Sequence, residues 1–330
     1  MSNVILSASK LSTLKGCSFT YYANYELGMK SGGNSGSDRG TIVHIIFENI
    51  LKPSRRKYFN QIISDKTIKN CPVIVRLVQK ISNRIGLGTH DNKDQHNFDL
   101  IDEMIVTGLS CDFYCEGGEL EAAETEFNYE GEGYNIRGAI DKIARFGSNY
   151  KIIDYKSSAS KYTGDDLEFN IQSMLYSLWF YKTKGVLPEF QFIFLRFPDD
   201  PYINKQYTEL EILGFEEYIK YITKYLQNFD MKKAIAGLAS DKGYPADGSF
   251  GGKVMCGYSK YPGHISPKTG KEYWACYYKH ARNIYYIKDG SGNVKYTTDR
   301  LEDIKLVGDD TFEVFPFKGC PSWNRSFYEQ

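Results

Sequence analysis

The chain has 330 residues and a mass of 37.8 kDa, 42% hydrophobic and 25% charged, an ordinary globular composition that excludes a disordered chain, a collagen or a coiled coil. Its 41 basic and 41 acidic side chains cancel, which excludes a strongly basic nucleic-acid coat but leaves room for a locally basic groove. No apolar run approaches the roughly 20 residues of a membrane span, and the start MSNVILSASKLSTLKGC lacks a basic region followed by an apolar one, so a cytoplasmic protein without a membrane partner is expected, its seven cysteines being buried thiols or metal ligands before disulfides.

Residues 9–27 read as an opening helix, with Ser9 as N-cap and Leu11, Leu14 and the aromatics in a broken helical period. Residues 31–40 (SGGNSGSDRG) read as a loop. Residues 41–51 (TIVHIIFENIL) are apolar except for Thr41, His44, Glu48 and Asn49, the pattern of a buried helix with one polar stripe. Residues 53–120 read as a mostly helical insertion. Residues 121–157 change character: short β-branched and aromatic runs split by Gly, Asn and Ser predict a strand meander. Helical period returns over 166–183, FQFIFLRF (190–197) reads as a buried strand with its hairpin partner over 203–211, and 213–238 is again helical. From about 240 the chain is rich in Gly, Tyr, Lys and Cys, with short strand-like runs. The expected division is 1–52, N-terminal helices; 53–120, insertion; 121–240, an α/β catalytic core; and 241–330, a C-terminal extension.

The segment with chemical content is Gly138-Ala-Ile-Asp141, then Asp154-Tyr-Lys156. Gly147-Ser148 suits a two-residue type II′ turn, with Gly in the first central position. That turn pairs Phe146 with Asn149, and counting outward sets Asp141 opposite Asp154. Opposed Cβ atoms sit about 4.5–5.5 Å apart, where two carboxylates repel. A divalent cation is the simplest neutraliser, and hard oxygen ligands suit Mg²⁺ or Mn²⁺. Lys156, two residues beyond Asp154, projects from the same face. Two carboxylates and a lysine form a layout for metal-assisted phosphodiester hydrolysis: the metal polarises phosphate and acidifies water, while the lysine orients or deprotonates that water and offsets negative charge.

These motifs, with others along residues 9–197, resemble the PD-(D/E)xK nuclease superfamily, in particular the branch of RecB and AddB nuclease domains, CRISPR-adaptation nucleases and phage exonucleases. Ser9-Lys10-Leu11 to Cys17 resembles the branch's N-terminal helix, and Gly40-Thr-Ile-Val-His44-Ile-Ile-Phe-Glu48 its Gly-x-x-x-His-x-x-x-Glu helix. Glu124-Thr-Glu-Phe127 resembles its first-strand Glu-x-x-Phe; Gly138-Ala-Ile-Asp141 and Ile153-Asp154-Tyr155-Lys156 resemble the two catalytic motifs; Gln172-Ser-Met-Leu-Tyr176 resembles Gln-x-x-x-Tyr. The resemblance implies an α/β fold with a restriction-endonuclease-like core, a central mixed sheet flanked by helices. It implies His44, Asp141 and Asp154 as metal ligands, Lys156 as the catalytic lysine, Gln172 and Tyr176 as residues positioning DNA or that lysine, and Glu124, rather than Glu126, as a further active-site carboxylate.

Several members of this branch hold a 4Fe–4S cluster with one early and three late cysteines, a resemblance that implies Cys17, Cys256, Cys276 and Cys320 as ligands here. The late three stand 20 and 44 residues apart, wider than the family's close grouping. Zinc is the poorer fit, with no Cys-x-x-Cys pair to seed it, and Cys111 and Cys115 read as core.

No phosphate-binding Gly-x-x-x-x-Gly-Lys-Ser/Thr loop occurs. The expectation is therefore a standalone metal-dependent DNA exonuclease of phage or mobile-element type. It would act on DNA with a free end, with a separate helicase or recombination protein as partner, in recombination, repair or replication. Lys52, Arg55, Arg56 and Lys57 are candidate DNA contacts. The alternatives are a DNA-end-binding module that does not cut and an endonuclease on the same core.

Overall fold

A computed structural model describes residues 4–29, 35–87, 92–238, 256, 265, 267, 270 and 275–324. In chain order the elements are β1 (Ile5–Leu6), α1 (Ala8–Gly16), α2 (Ser18–Tyr21) with a π-helical turn over Tyr22–Glu26, α3 (Ser35–Leu51), α4 (Arg56–Asp65), α5 (Pro72–Ile85) and α6 (Asn92–Ser110). There follow β2 (Glu119–Gly131), β3 (Tyr134–Phe146), β4 (Asn149–Lys156), α7 (Asp165–Glu168), α8 (Ile171–Lys184), β5 (Glu189–Phe194) and β6 (Tyr202–Gln206). The last are α9 (Glu209–Gln227), α10 (Met231–Ala236), β7 (Arg282–Lys288), β8 (Val294–Thr298) and β9 (Thr311–Phe317). The chain divides into two compact units, Met1–Ala8 with Gly33–Lys224, and Ser9–Gly32 with Tyr225–Gln330.

The first unit is built on a mixed six-stranded sheet. Its axis is β3, which pairs antiparallel with β2 along one edge; β1 (parallel) and β4 (antiparallel) follow one another along the other. The sheet continues through parallel β5 to antiparallel β6. The β3–β4 hairpin forms as the turn residues dictate: Phe146 pairs with Asn149, and Gly147 takes the φ of +64° that a side chain disfavours.

One face of the sheet is covered by α3–α6. Ile42, Val43, Ile46 and Phe47 are fully buried against Val78, Ile101, Ile105 and the sheet residues Ala144, Ile153 and Tyr155. Burial of each such side chain contributes about 1.5–3 kcal/mol, so the polar stripe of α3 is carried on a firmly anchored helix. On α8, Tyr176 meets Phe127 edge-on at 5.5 Å between ring centroids and Trp179 stacks on it at 4.4 Å.

The second unit holds a three-stranded antiparallel sheet ordered β8-β7-β9. Its core gathers Phe19, Ala23, Ala234, Leu238, Tyr278, Ile284 and Phe317.

Three sequence expectations are corrected. The opening helix is broken at Cys17, whose backbone is extended (φ −153°, ψ 118°). Distant partners take over there: Ser18 Oγ donates to the Ala234 carbonyl at 2.6 Å and Ser18 N to Gly237 O at 3.1 Å. Residues 35–40, read as loop, are the first turns of α3; residues 31–34 lie outside the described residues. Gly40 is buried within that helix and faces Ser157, whose Oγ would lie 2.6 Å from a Cβ at position 40. The helix expected over 166–183 is interrupted before α8, where the Asn170 side chain caps Ser173 N at 3.1 Å.

Candidate active site

The β3–β4 ladder ends at the pair Lys142–Ile153. Just beyond it the Asp141 carboxylate accepts the Tyr155 backbone N–H at 2.8 Å, a side chain standing in for the next backbone partner. The two strands thus part where Asp141 and Asp154 come level. Asp154 is buried, with 4% of its surface exposed.

Around Asp154 the polar groups gather closely, although its buried Oδ2 makes no hydrogen bond of good geometry. Lys156 Nζ lies 2.6 Å from Asp154 Oδ2. Gln172, in the first turn of α8, donates from Nε2 to Asp154 Oδ1 at 2.8 Å and accepts from Lys156 Nζ at 2.5 Å. Tyr176, one turn on, has its hydroxyl 3.3 Å from Gln172 Nε2. Burial disfavours the charged lysine, but Asp154 and the phenol of Tyr162 outweigh it and hold the ammonium above its ordinary pKa. Asp154 itself is pushed up by burial and by Asp141, against Lys156 and His44.

Around Asp141 the groups offer metal ligands. His44, on the polar stripe of α3, places Nδ1 3.2 Å from Asp141 Oδ1. Glu124 lies across from Asp141, between the pairs Ala123–Lys142 and Thr125–Ile140. Its φ of +47° is a left-handed conformation inside a strand, a strain that native proteins concentrate at functional sites. His44, Glu124 and Asp141 each bring a ligand atom within 4.8 Å of the others, the single such group among the described residues. Burial and then the Asp141 charge push Glu124 up to about 7. Burial opposes the charged imidazole of His44, yet Asp141, Asp154 and Glu124 overcome it and raise the ring to about 9. Carboxylates this crowded are relieved by a cation, and two carboxylates with an imidazole form a donor set for a divalent ion.

Every residue proposed from the sequence for this site therefore lies in it, in two groups. Glu124 joins His44 and Asp141, whereas Asp154, expected among the metal ligands, faces Lys156 and Gln172. The basic run after α3 is engaged locally: Lys52 pairs with Glu48 at 3.5 Å, Arg56 stacks on Tyr114 at 4.5 Å and Lys57 on Tyr58 at 5.2 Å.

In the second unit Cys17, Cys256, Cys276 and Cys320 line one pocket with Phe19, Leu238 and Trp323. Burial pushes the thiols of Cys276 and Cys320 up, to about 11 and about 12. Buried Lys279 sits beside them, its Nζ 3.6 Å from the centre of the Trp323 ring and 3.3 Å from the Cys256 carbonyl. The four thiols match a four-thiolate cluster in number and chemistry, with an accessible space of about 20 Å³ between them. Among the described residues no three of these sulfurs lie within 4.8 Å of one another. Around a single zinc ion, with Zn–S near 2.3 Å, sulfurs would be about 3.8 Å apart. Cys71, Cys111 and Cys115 are buried in the core under α3–α6; Cys111 and Cys115 sit in the turns after α6.

The sequence matches the family model of the PD-(D/E)XK nuclease superfamily over residues 5–258. Twelve chains of solved structure also match. One, described as a "Putative exonuclease" from Eubacterium rectale, is 12% identical, with a TM-score of 0.44, over 66% of this chain and 77% of that one. No curated protein matches.

Proposed function

The chain belongs to the PD-(D/E)XK nuclease superfamily, and from that premise we propose a divalent-metal-dependent exonuclease that processes DNA ends in recombination, repair or replication. The observation that carries the metal-dependent reading is the meeting of His44, Glu124 and Asp141 beside the Asp154–Lys156–Gln172 set. The exonuclease reading rests on the resemblance of the His44 helix and the four cysteines to the end-processing branch.

His44, Glu124 and Asp141 would hold the ion. A bound Mg²⁺ or Mn²⁺ supplies Lewis acidity toward a phosphoryl oxygen and acidifies a water. Asp154 and Gln172 hold Lys156 charged and in one orientation, so that its ammonium meets developing negative charge without reorganising. The Tyr176 hydroxyl, backed by the Phe127 ring, fixes Gln172 in turn. Cys17, Cys256, Cys276 and Cys320 would hold a 4Fe–4S cluster with a structural role in the second unit.

The test uses 5′- and 3′-labelled linear DNA, single- and double-stranded, and a closed circle, with Mn²⁺, against Asp154→Ala. Degradation of linear DNA alone, lost in the variant, is the expected result and gives the polarity. Cutting of the circle makes the protein an endonuclease. A gel shift on DNA ends with no cutting makes it a binding module.

A further inference from the structure

The first unit has a cleft of about 710 Å³ that runs from His44 and Lys156 to two arginines, Arg39 and Arg196. Arg39 is in the second turn of α3 and Arg196 follows the end of β5. Ser37, Thr41 and Ser157 line the same cleft. This is the end of the sheet where parallel β4 and β5 finish, the side on which α/β sheets bind ligands.

Two guanidinium groups facing one cleft repel. Loss of solvent and the charge of Arg196 together lower the proton affinity of Arg39. Arg39 donates to the Asn97 side chain at 2.5 Å, a neutral acceptor that orients the group and leaves its charge in place. Among the described residues no carboxylate comes within ion-pair distance of either arginine. Gly40 lies against Ser157 in the same cleft, where a Cβ would come 2.6 Å from the serine hydroxyl and make it turn aside. An anion resolves the repulsion, and guanidinium pairs fit phosphate oxygens in geometry as well as charge.

We propose that Arg39 and Arg196 form a phosphate subsite that binds the nucleic-acid phosphate next to the one cleaved, and so sets where the strand stops relative to Lys156. The inference rests on the nuclease reading of the cleft and adds a binding role to residues outside its catalytic groups.

The experiment measures DNA affinity in the Asp154→Ala background, so that binding is read apart from cutting. Single-stranded oligonucleotides with 5′-phosphate and with 5′-hydroxyl ends are titrated over a range of salt. Arg39→Gln and Arg196→Gln are each expected to weaken binding about ten-fold. Each lost contact should also flatten the slope of log affinity against log salt by about 0.7. The double Lys variant, which keeps both charges, is expected to keep most of the slope. Loss confined to 5′-phosphorylated strands identifies a terminal phosphate; equal loss on both identifies an internal diester, and either supports the subsite. A parent that binds DNA, with a double Gln variant matching it in affinity and slope, overturns the inference alone. Equal losses in the Gln and Lys variants with a lowered melting temperature also overturn it, by making the arginines structural. A wild-type protein that neither cuts nor binds DNA overturns the reading of the cleft itself.

Discussion

The cleft of the first unit and the cysteine pocket of the second are both suited to metals, but they are built in opposite ways. At the cleft and just behind it, His44, Glu124, Asp141, Asp154 and Lys156 hang from long helices and strands, and Gln172 bonds both Asp154 and Lys156. In the pocket, all four cysteines lie outside regular helices and strands, and their thiols face an apolar interior. The cleft is braced by bonds between its own side chains, the pocket by apolar packing and backbone hydrogen bonds around its thiols. Metal in the first should be needed for chemistry and metal in the second for folding.

Brief exposure to EDTA makes the sharpest division. It should reduce cleavage to background while leaving the melting temperature and any colour of the protein unchanged; full activity in excess EDTA would exclude a metal mechanism. Asp154→Ala and Lys156→Ala come next. Each should lower kcat by about 10²- to 10³-fold, the scale of losing a preorganised electrostatic group, with circular dichroism unchanged. Retained cutting in either would undo the assignment of the site.

Cys276→Ser should do the reverse. Protein purified without oxygen should be brown and carry iron, and the variant should lose both. With the cluster gone, stability should fall by more than about 4 kcal/mol, as for other lost metal or cross-link sites, seen as new protease cleavage within 225–330. Colourless, iron-free wild-type protein would end the cluster proposal and leave the nuclease untouched. Gln172→Ala, which removes hydrogen bonds to two charged groups, should cost about 10- to 100-fold in kcat with folding intact; no loss would make Gln172 a packing residue.

The contrast also explains what the sequence disclosed. The hairpin was legible because a two-residue turn fixes register, and register alone puts Asp141, Asp154 and Lys156 at one end of one sheet. The choice between Glu124 and Glu126 could not be made by alternation, since both fall on one face. A positive φ at Glu124 is a property of the folded strand. The start of α3 was hidden because Gly36 and Gly40 look like loop residues; what Gly40 faces, Ser157, is more than a hundred residues away. The break at Cys17 depends on Ala234 and Gly237 in the same way. Local spacing wrote the catalytic hairpin, whereas long-range contact wrote the helix ends and the cysteine pocket.

The smallest expected effect concerns a second buried lysine on the same hairpin. Lys142 is 1% exposed, donates to the Phe113 carbonyl at 2.6 Å and lies 3.9 Å from the centre of the Phe113 ring. Burial lowers its pKa to about 8. Lys142→Met removes the cost of burying a charge, but it also leaves Phe113 O without its donor and removes a cation–π contact. The last two cost about 1–3 and about 2 kcal/mol, so the sum at neutral pH should be small. Between pH 8 and 10.5 the unfolded chain holds the lysine's proton more tightly than the folded one, so the wild type should gain stability as pH rises through that window. The Met variant lacks this gain and should fall behind the wild type by pH 10. Unfolding measured at pH 7 and pH 10 checks the sign. Cleavage by Lys142→Met should stay within a few-fold of wild type, which separates the lysine under the helices from the one beside Asp154.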